Sequence, residues 1–111
     1  METITSSTEI SLLFNEGQRF SSPCATLLVR KDEEGHDRNG RVAFIAGKKL
    51  GNAVWRNKAK RRLRAICLDL GGPWSGYDVV FIAKNSLTKE KYSTVCEQCE
   101  QMKQKALSEC N

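Results

Sequence analysis

Residues 48–64, KKLGNAVWRNKAKRRLR, hold eight Lys or Arg and no Asp or Glu. Apolar residues recur through and beyond this stretch at spacings of three and four, so they share one face of a helix predicted over residues 54–70. These residues are Trp55, Ala59, Leu63, Ile66, Cys67 and Leu70. Asn52 is a suitable N-cap, and Gly71-Gly72-Pro73 ends the helix. The stretch therefore predicts a helix that packs on a core along one face and is basic elsewhere.

The charge of the chain is concentrated in this helix. The 111 residues carry a formal net charge of +5, but outside residues 48–64 ten Lys and Arg stand against thirteen Asp and Glu. One basic element on a mildly acidic body is typical of a nucleic-acid binder, because Arg and Lys bind phosphate and release counterions. A solvated helix face normally mixes both signs, and a membrane-surface helix needs a broader apolar face. The pattern therefore favours a nucleic-acid partner over both alternatives.

The length predicts a single domain, built from helices and strands. The apolar pattern predicts a helix over residues 8–16 and strands over residues 25–30, 41–46 and 77–83. The last of these strands is an almost unbroken apolar run, which is typical of a central strand covered on both faces. Residues 1–7 are expected to be disordered.

Two further segments complete the predicted order. Residues 32–40, DEEGHDRNG, predict a turn or hairpin loop from their Gly, Asn and Asp content. Ser86 or Thr88 is a suitable cap for a last helix. Its apolar face is formed by Tyr92, Val95, Cys96, Cys99, Met102 and Ala106.

Residue types that carry chemistry are sparse. Five Cys form an odd set, and METITSSTEI lacks the apolar core of a secretory signal, so a reducing, cytoplasmic setting is expected. Cys96 and Cys99 form a CxxC within a helical pattern, and His36 is the only histidine, so structural burial is favoured over metal or redox use. No Ser-His, HExxH or phosphate-loop pattern appears, and no apolar stretch is long enough to span a membrane. The sequence therefore predicts no catalytic and no metal site in the protein.

The aromatic residues are predicted to lie mainly in the core. Trp55 opens the apolar stripe of the basic helix, which favours burial over a role as a stacking platform. Phe14, Phe20 and Phe44 are assigned to the core by default, although an aromatic side chain left on an open sheet face could stack on an unpaired base.

The basic stretch also resembles a family signature. KKLGNAVWRNKAKRRLR is similar to the signature of the bacterial ribonuclease P protein subunit, in which a KK-x-G-x-A-V stretch leads into an R-N-x-x-K-R helix. EISLLFNEGQRF resembles the first helix of that family, RVAFIAGKK its strand into the signature, and YDVVFIAK its next strand. The resemblance extends over nearly the whole chain.

This resemblance implies a fold and a function. The implied fold is α+β, a ribosomal protein S5 domain 2-like fold with a four-stranded mixed sheet, three helices and a left-handed βαβ crossover, an exception to the usual right-handed connection. The implied function is to bind the ribonuclease P RNA and help it remove the 5′ leader of precursor tRNA. Mg²⁺ would act in the RNA subunit, so the protein alone would be inactive. Neither a membrane nor an obligate protein partner is implied.

Site residues follow from the same resemblance. The positions expected to face RNA are Lys48, Lys49, Asn52, Arg56, Asn57, Lys58, Lys60, Arg61 and Arg64. A cleft for the single-stranded leader would be lined by Phe14, Leu28, Phe44, Arg56 and Asn57. Ile10 replaces a frequent Phe, Leu28 lies where a strand aromatic is common, and Lys58 replaces a frequent Arg. These departures predict weaker or less sequence-selective stacking on the leader.

Two other functions stay open on the sequence. A ribosomal or other structural RNA-binding protein would share the basic helix and have no role in processing. A protein that is itself a nuclease would cleave precursor tRNA without an RNA subunit. Cleavage assays with and without the RNA subunit distinguish the three hypotheses.

Overall fold

The structure is a computed structural model that describes residues 3–31 and 40–109. Its elements are α1 (Ser7–Glu16), β1 (Gln18–Ser21), β2 (Ala25–Lys31), β3 (Arg41–Ile45), α2 (Ala53–Asp69), β4 (Tyr77–Ala83) and α3 (Tyr92–Glu109). Two short 3-10 turns, Lys48–Leu50 and Asn85–Thr88, precede α2 and α3. The predicted first two helices and the three predicted strands agree with these elements to within one residue at each end.

The four strands form one mixed sheet in the order β1-β2-β4-β3. β4 is parallel to β3 and antiparallel to β2, which in turn pairs with β1 in antiparallel fashion. The α+β architecture with three helices and a four-stranded mixed sheet is therefore confirmed, and β4 is central as its apolar run predicts. α2 makes the crossover between the parallel strands β3 and β4; the left-handed course of this crossover stays a prediction.

The strand pairing corrects the predicted hairpin. β2 and β3 do not pair with each other, because each pairs with β4, which lies between them. Residues 32–39, including His36, lie outside the described residues. β1 is an additional strand that the apolar pattern did not predict, since only Phe20 of its four residues is buried.

Alternate residues of the strands point to opposite faces of the sheet and enter two cores. The larger core lies between the sheet and the helices α2 and α3. It includes Leu27, Val29, Val42, Phe81, Leu63, Ile66, Val95 and Cys99. The smaller core lies under α1 and consists of Ile4, Leu13, Leu28, Ala43 and Val80. The sheet is thus covered on both faces.

The residues before α1 pack on the sheet. Thr3 forms a parallel bridge with Val42, and the amide of Ile4 donates to the carbonyl of Val42 at 2.7 Å. The Ile4 side chain is buried in the smaller core. The expectation of disorder over residues 1–7 is therefore wrong for residues 3–7, because Ile4 supplies an apolar anchor.

A buried carboxylate links α1 to the sheet. Asp78 on β4 is 1% exposed and accepts hydrogen bonds from the guanidinium groups of Arg30 and Arg41, at 3.2 Å each. Arg41 also donates to Glu9 on α1 at 2.8 Å, and Arg30 pairs with Glu16 at 3.4 Å. Because each arginine contacts both Asp78 and an acid on α1, the network fixes α1 over the sheet.

The start of α3 differs from the prediction. Ser86 and Thr88 lie in the 3-10 turn Asn85–Thr88, and α3 begins only at Tyr92. The Ser86 hydroxyl donates to the carbonyl of Pro23 at 2.8 Å, and the Thr88 hydroxyl accepts from the indole of Trp55 at 2.9 Å. Both hydroxyls therefore make tertiary contacts instead of capping α3. No helix in the described ranges is long and apolar enough to cross a bilayer.

Candidate nucleic-acid interface

The first turn of α2 is held in place by local and tertiary contacts. Asn52 is the N-cap, as predicted, and its side-chain oxygen accepts from the amide of Trp55 at 3.0 Å. Trp55 is half-buried against the larger core, as its place in the apolar stripe predicts. Its ring lies so close to Gly51 that a Cβ there would lie 2.9 Å from the indole. The signature Gly and Asn thus position the start of the basic helix.

α2 presents four of its six basic side chains to solvent. Ala59, Leu63, Ile66 and Cys67 are buried, which confirms the predicted apolar stripe. Of the nine residues expected to face RNA, eight are exposed: Lys48, Lys49, Asn52, Asn57, Lys58, Lys60, Arg61 and Arg64. In the part of the chain that the structure describes, no Asp or Glu forms an ion pair with a basic residue of α2. These charges are therefore available to a polyanion.

Arg56 differs from the other eight predicted RNA-facing residues. Its side chain is half-buried, and its Nε is buried without a hydrogen-bond partner. Helical phase explains this position, because Arg56 lies on the same face as the buried Leu63, two turns earlier. Arg56 is thus less accessible to RNA than the prediction assumed.

A cleft of about 710 Å³ lies along the edge of the sheet at β3. α2 contributes one wall, with Asn57, Lys60, Arg61 and Arg64. Ile10 of α1 and residues 3–5 form the opposite wall, and residues 43–45 form the floor. One wall is therefore cationic and the other largely uncharged.

Arg64 and Phe44 meet within this cleft. The Arg64 guanidinium carbon lies 5.6 Å from the centroid of the Phe44 ring, which is a cation–π distance. The Phe44 ring also packs on Phe81, with 5.5 Å between ring centroids. The aromatic ring is therefore fixed in the sheet and in turn positions the guanidinium of Arg64.

The cleft corrects part of the predicted leader site. Of the residues assigned to a leader cleft, Phe44 and Asn57 line the cleft at β3 and Arg56 does not; their contact with a leader stays a prediction. Leu28 is only 1% exposed and packs beneath α1 in the smaller core, so the prediction that it lines the cleft is wrong. Phe14 is 43% exposed and lies outside the cleft lining, one turn after Ile10 on the same flank of α1.

Several of the residues that line the cleft were not assigned to it from the sequence. Lys60, Arg61 and Arg64 were expected to face RNA but were not assigned to a cleft, although they form one wall of this one. The apolar residue Ile45 also contributes to the floor. The helical phase of Lys60 and Arg64, which lie one turn apart on the same flank of α2, was the sequence signal that could have found them.

Arg62 has a structural role that distinguishes it from its neighbours. Its guanidinium donates to the carbonyls of Leu87 at 2.9 Å and Glu90 at 2.7 Å, and it lies 5.7 Å from the centroid of the Tyr92 ring. Arg61, the preceding residue, is exposed and lines the cleft. Two adjacent arginines of one basic run thus have different environments: Arg62 is bonded to a neighbouring turn, and Arg61 is exposed beside the cleft.

The cysteines of the CxxC lie where α3 packs on the sheet. Cys99 is fully buried and Cys96 is half-buried, which agrees with the predicted structural burial. Burial raises the pKa of the Cys99 thiol to about 12 and that of the Cys67 thiol to about 11. Both thiols are therefore protonated and poorly nucleophilic near neutral pH. No group of three metal-ligating side chains occurs among the described residues.

Comparison with known proteins identifies relatives that match most of the chain. A family model described as Ribonuclease P matches residues 1–107. The ribonuclease P protein component of Syntrophomonas wolfei is 36% identical over 90 residues, which are 80% of this chain and 73% of the relative. That of Clostridium botulinum strain Eklund 17B is 32% identical over 89 residues, 76% of this chain and 71% of the relative.

Solved structures show the same fold. The RNase P protein from Thermotoga maritima is 28% identical, with a TM-score of 0.76 over 94% of this chain and 97% of the neighbour. The RNase P protein of Staphylococcus aureus gives a TM-score of 0.80 over 96% of this chain and 95% of the neighbour. At 22% identity, the second match supports the fold alone.

Proposed function

Because the chain belongs to the ribonuclease P protein family and is a ribonuclease P protein subunit, we propose that it binds the catalytic RNA subunit and the 5′ leader of precursor tRNA. Through these contacts it assists the endonucleolytic removal of the leader in the cytoplasm and yields the mature tRNA 5′ end. The active enzyme is the RNA–protein complex.

The observation that carries this proposal is the cationic wall of the cleft. Lys60, Arg61 and Arg64 lie on one flank of α2 and border a cleft whose opposite wall is largely uncharged. A single strand exposes both its phosphates and its bases, so it can use both the cationic and the apolar side of such a cleft. The cations then bind phosphates, while the apolar side faces the bases.

The composition of the cleft also favours tolerance of leader sequence. Ile10 and Ile45 offer apolar contact area without hydrogen-bond groups that read base edges. Phe44 is covered by Arg64 on the cleft side, so a guanidinium plane is available for stacking in place of an open aromatic ring. We infer that leaders are held mainly through phosphates and non-specific stacking.

The chemistry of cleavage is assigned to the RNA subunit. Mg²⁺ ions bound to RNA would activate water and stabilise the leaving oxygen at the scissile phosphate. The described residues offer no cluster of carboxylate, Cys and His ligands for such an ion. The contribution of the chain is to neutralise RNA phosphates with α2 and so to lower the repulsion between the RNA subunit and its substrate.

Reconstitution tests this proposal. Precursor tRNA is incubated with the cognate ribonuclease P RNA at near-physiological Mg²⁺, with and without the protein, and with the protein alone. We expect the protein to increase leader cleavage by the RNA and to cleave nothing by itself. RNA binding without any gain in cleavage would identify a structural RNA-binding protein, and cleavage by the protein alone would identify a nuclease; either result contradicts the proposal.

A further inference from the structure

A second group of lysines lies on and beside the flank of α2 that faces away from the cleft. Lys58 is exposed one helical turn before Arg62 on this flank. Lys89 and Lys91 are exposed in the short segment between the 3-10 turn Asn85–Thr88 and α3. Among residues 3–31 and 40–109, no carboxylate pairs with any of these three lysines.

The segment that carries Lys89 and Lys91 is fastened to α2. Arg62 donates to the carbonyls of Leu87 and Glu90, and the indole of Trp55 donates to the Thr88 hydroxyl. The Leu87 side chain is fully buried in the larger core. Lys89 and Lys91, on either side of Glu90, are therefore held at a defined place beside α2.

We propose that Lys58, Lys89 and Lys91 form a second phosphate-binding surface, the turn surface, which contacts an RNA segment other than the one in the cleft. This inference rests on the proposed function. The turn surface and the cleft wall lie on opposite flanks of one helix, so an RNA that contacts both spans the width of α2, about 10–12 Å with side chains. Continuity with the other cations of α2 favours RNA over an acidic protein as the occupant.

The chemistry of the turn surface indicates contact with phosphates. Lysine carries a compact charge without the planar fork that reads base edges. Tyr92, the aromatic residue next to the segment, is half-buried beneath Arg62 and offers no open stacking face. Two carboxylates near the turn surface would repel an anion. Glu90 is exposed between the two lysines, and Asp69 accepts a hydrogen bond from the Tyr92 hydroxyl.

The test compares two double variants that remove the same charge. Lys89→Gln/Lys91→Gln neutralises the turn surface. Lys31→Gln/Lys105→Gln removes two exposed lysines that lie far from the turn surface. Lys31 pairs with Tyr77 at the start of β4, about 20 Å from the end of β4 that leads into the turn. Lys105 lies about 21 Å beyond Lys91 along α3. Dissociation constants are measured over a salt series for protein with RNA subunit, and for reconstituted holoenzyme with precursor tRNA.

We expect Lys89→Gln/Lys91→Gln to flatten the slope of log affinity against log salt by about 0.7–0.9 for each lost phosphate contact, and the control double variant to leave it unchanged. A change in the first arm assigns the contact to the RNA subunit, and a change confined to the second arm assigns it to precursor tRNA. Equal slopes for both double variants in both arms overturn the inference. If the wild-type protein binds neither RNA, the result contradicts the proposed function instead of this inference.

Glu90→Gln supplies a test of opposite sign. Removal of this carboxylate should raise RNA affinity by about two- to five-fold at low salt and by less at high salt, because the interaction is exposed and screened. The backbone carbonyl of Glu90 that holds Arg62 is unaffected by the substitution. Unchanged or reduced affinity contradicts an anion at the turn surface.

Discussion

The adjacent residues Arg61 and Arg62 should respond to substitution in different ways. Arg61→Ala removes an exposed side chain that has no hydrogen-bond or ion-pair partner among the described residues, so we expect the free energy of unfolding to change by less than about 0.5 kcal/mol. The same variant should flatten the salt slope of RNA binding by about 0.7–0.9 if Arg61 contacts one phosphate.

Arg62→Ala removes two charge-assisted hydrogen bonds to backbone carbonyls, at 2.9 and 2.7 Å. Such bonds contribute about 1.5–3 kcal/mol each, but the bond to Glu90 is exposed, so a total loss of about 2 kcal/mol is expected. For a domain of this size that loss lowers Tm by about 8 °C. The lysines that Arg62 positions also lose their fixed place, so RNA binding weakens secondarily.

Urea unfolding and salt-series binding on both variants check this contrast. Arg62→Lys serves as the matched control, because it keeps the charge but lacks the planar fork whose two terminal nitrogens reach the two carbonyls. Wild-type stability for Arg62→Ala would refute the structural role of Arg62. Equal destabilisation by Arg61→Ala would show that the two arginines are not distinguished in the way that the contacts indicate.

Three further predictions concern the core and the thiols. Asp78→Asn breaks a buried ion-pair network and should lower the free energy of unfolding, measured in urea, by about 3–5 kcal/mol. Glu16→Gln, at the exposed edge of this network, should lower it by less than about 1 kcal/mol. Similar losses for both variants would contradict the network. Leu28→Ala should lower the free energy of unfolding by about 2–5 kcal/mol, because Leu28 is buried, and Phe14→Ala should lower it much less. In competition assays Leu28→Ala should keep the preference for leader-bearing over mature tRNA. A specific loss of this preference in Leu28→Ala would show that Leu28 lines the leader cleft after all. The pKa of the Cys99 thiol is raised by burial to about 12, so the stability linked to this thiol is complete below pH 9. Above pH 9 the free energy of unfolding should fall by up to about 1.4 kcal/mol per pH unit until about pH 12. The free energy of unfolding of Cys99→Ala should fall less steeply in the same titration, and an identical slope would contradict this prediction.

Much of the fold follows from local pattern. The phase of α2, its N-cap at Asn52 and the central position of β4 were predicted because the apolar periodicity and the cap are local signals. β1 was missed because a short edge strand with one buried residue carries little pattern. The start of α3 was misplaced because Thr88 bonds to Trp55, a contact 33 residues away that no local rule contains.

The candidate site was predicted in part for the same reason. Helical phase placed the cations on the surface of α2, yet it did not distinguish Arg61 from Arg62, since the partners of Arg62 are carbonyls of a distant turn. Leu28 lies in an apolar run of β2, and this local pattern carries no information about which sheet face α1 covers. Which elements meet across the sheet is a tertiary property, and it determined the outcome at each of these residues.

The most direct test of the central claim is single-turnover cleavage of precursor tRNA by the ribonuclease P RNA at low Mg²⁺, with wild-type protein or with Lys60→Gln/Arg61→Gln/Arg64→Gln. These three substitutions remove the cationic wall of the cleft and leave the buried stripe of α2 intact. We predict that the wild-type protein accelerates leader removal and that the triple variant, with its unfolding free energy within about 1 kcal/mol of wild type, loses most of this gain. Equal stimulation by both proteins, or none by the wild type, would contradict the account.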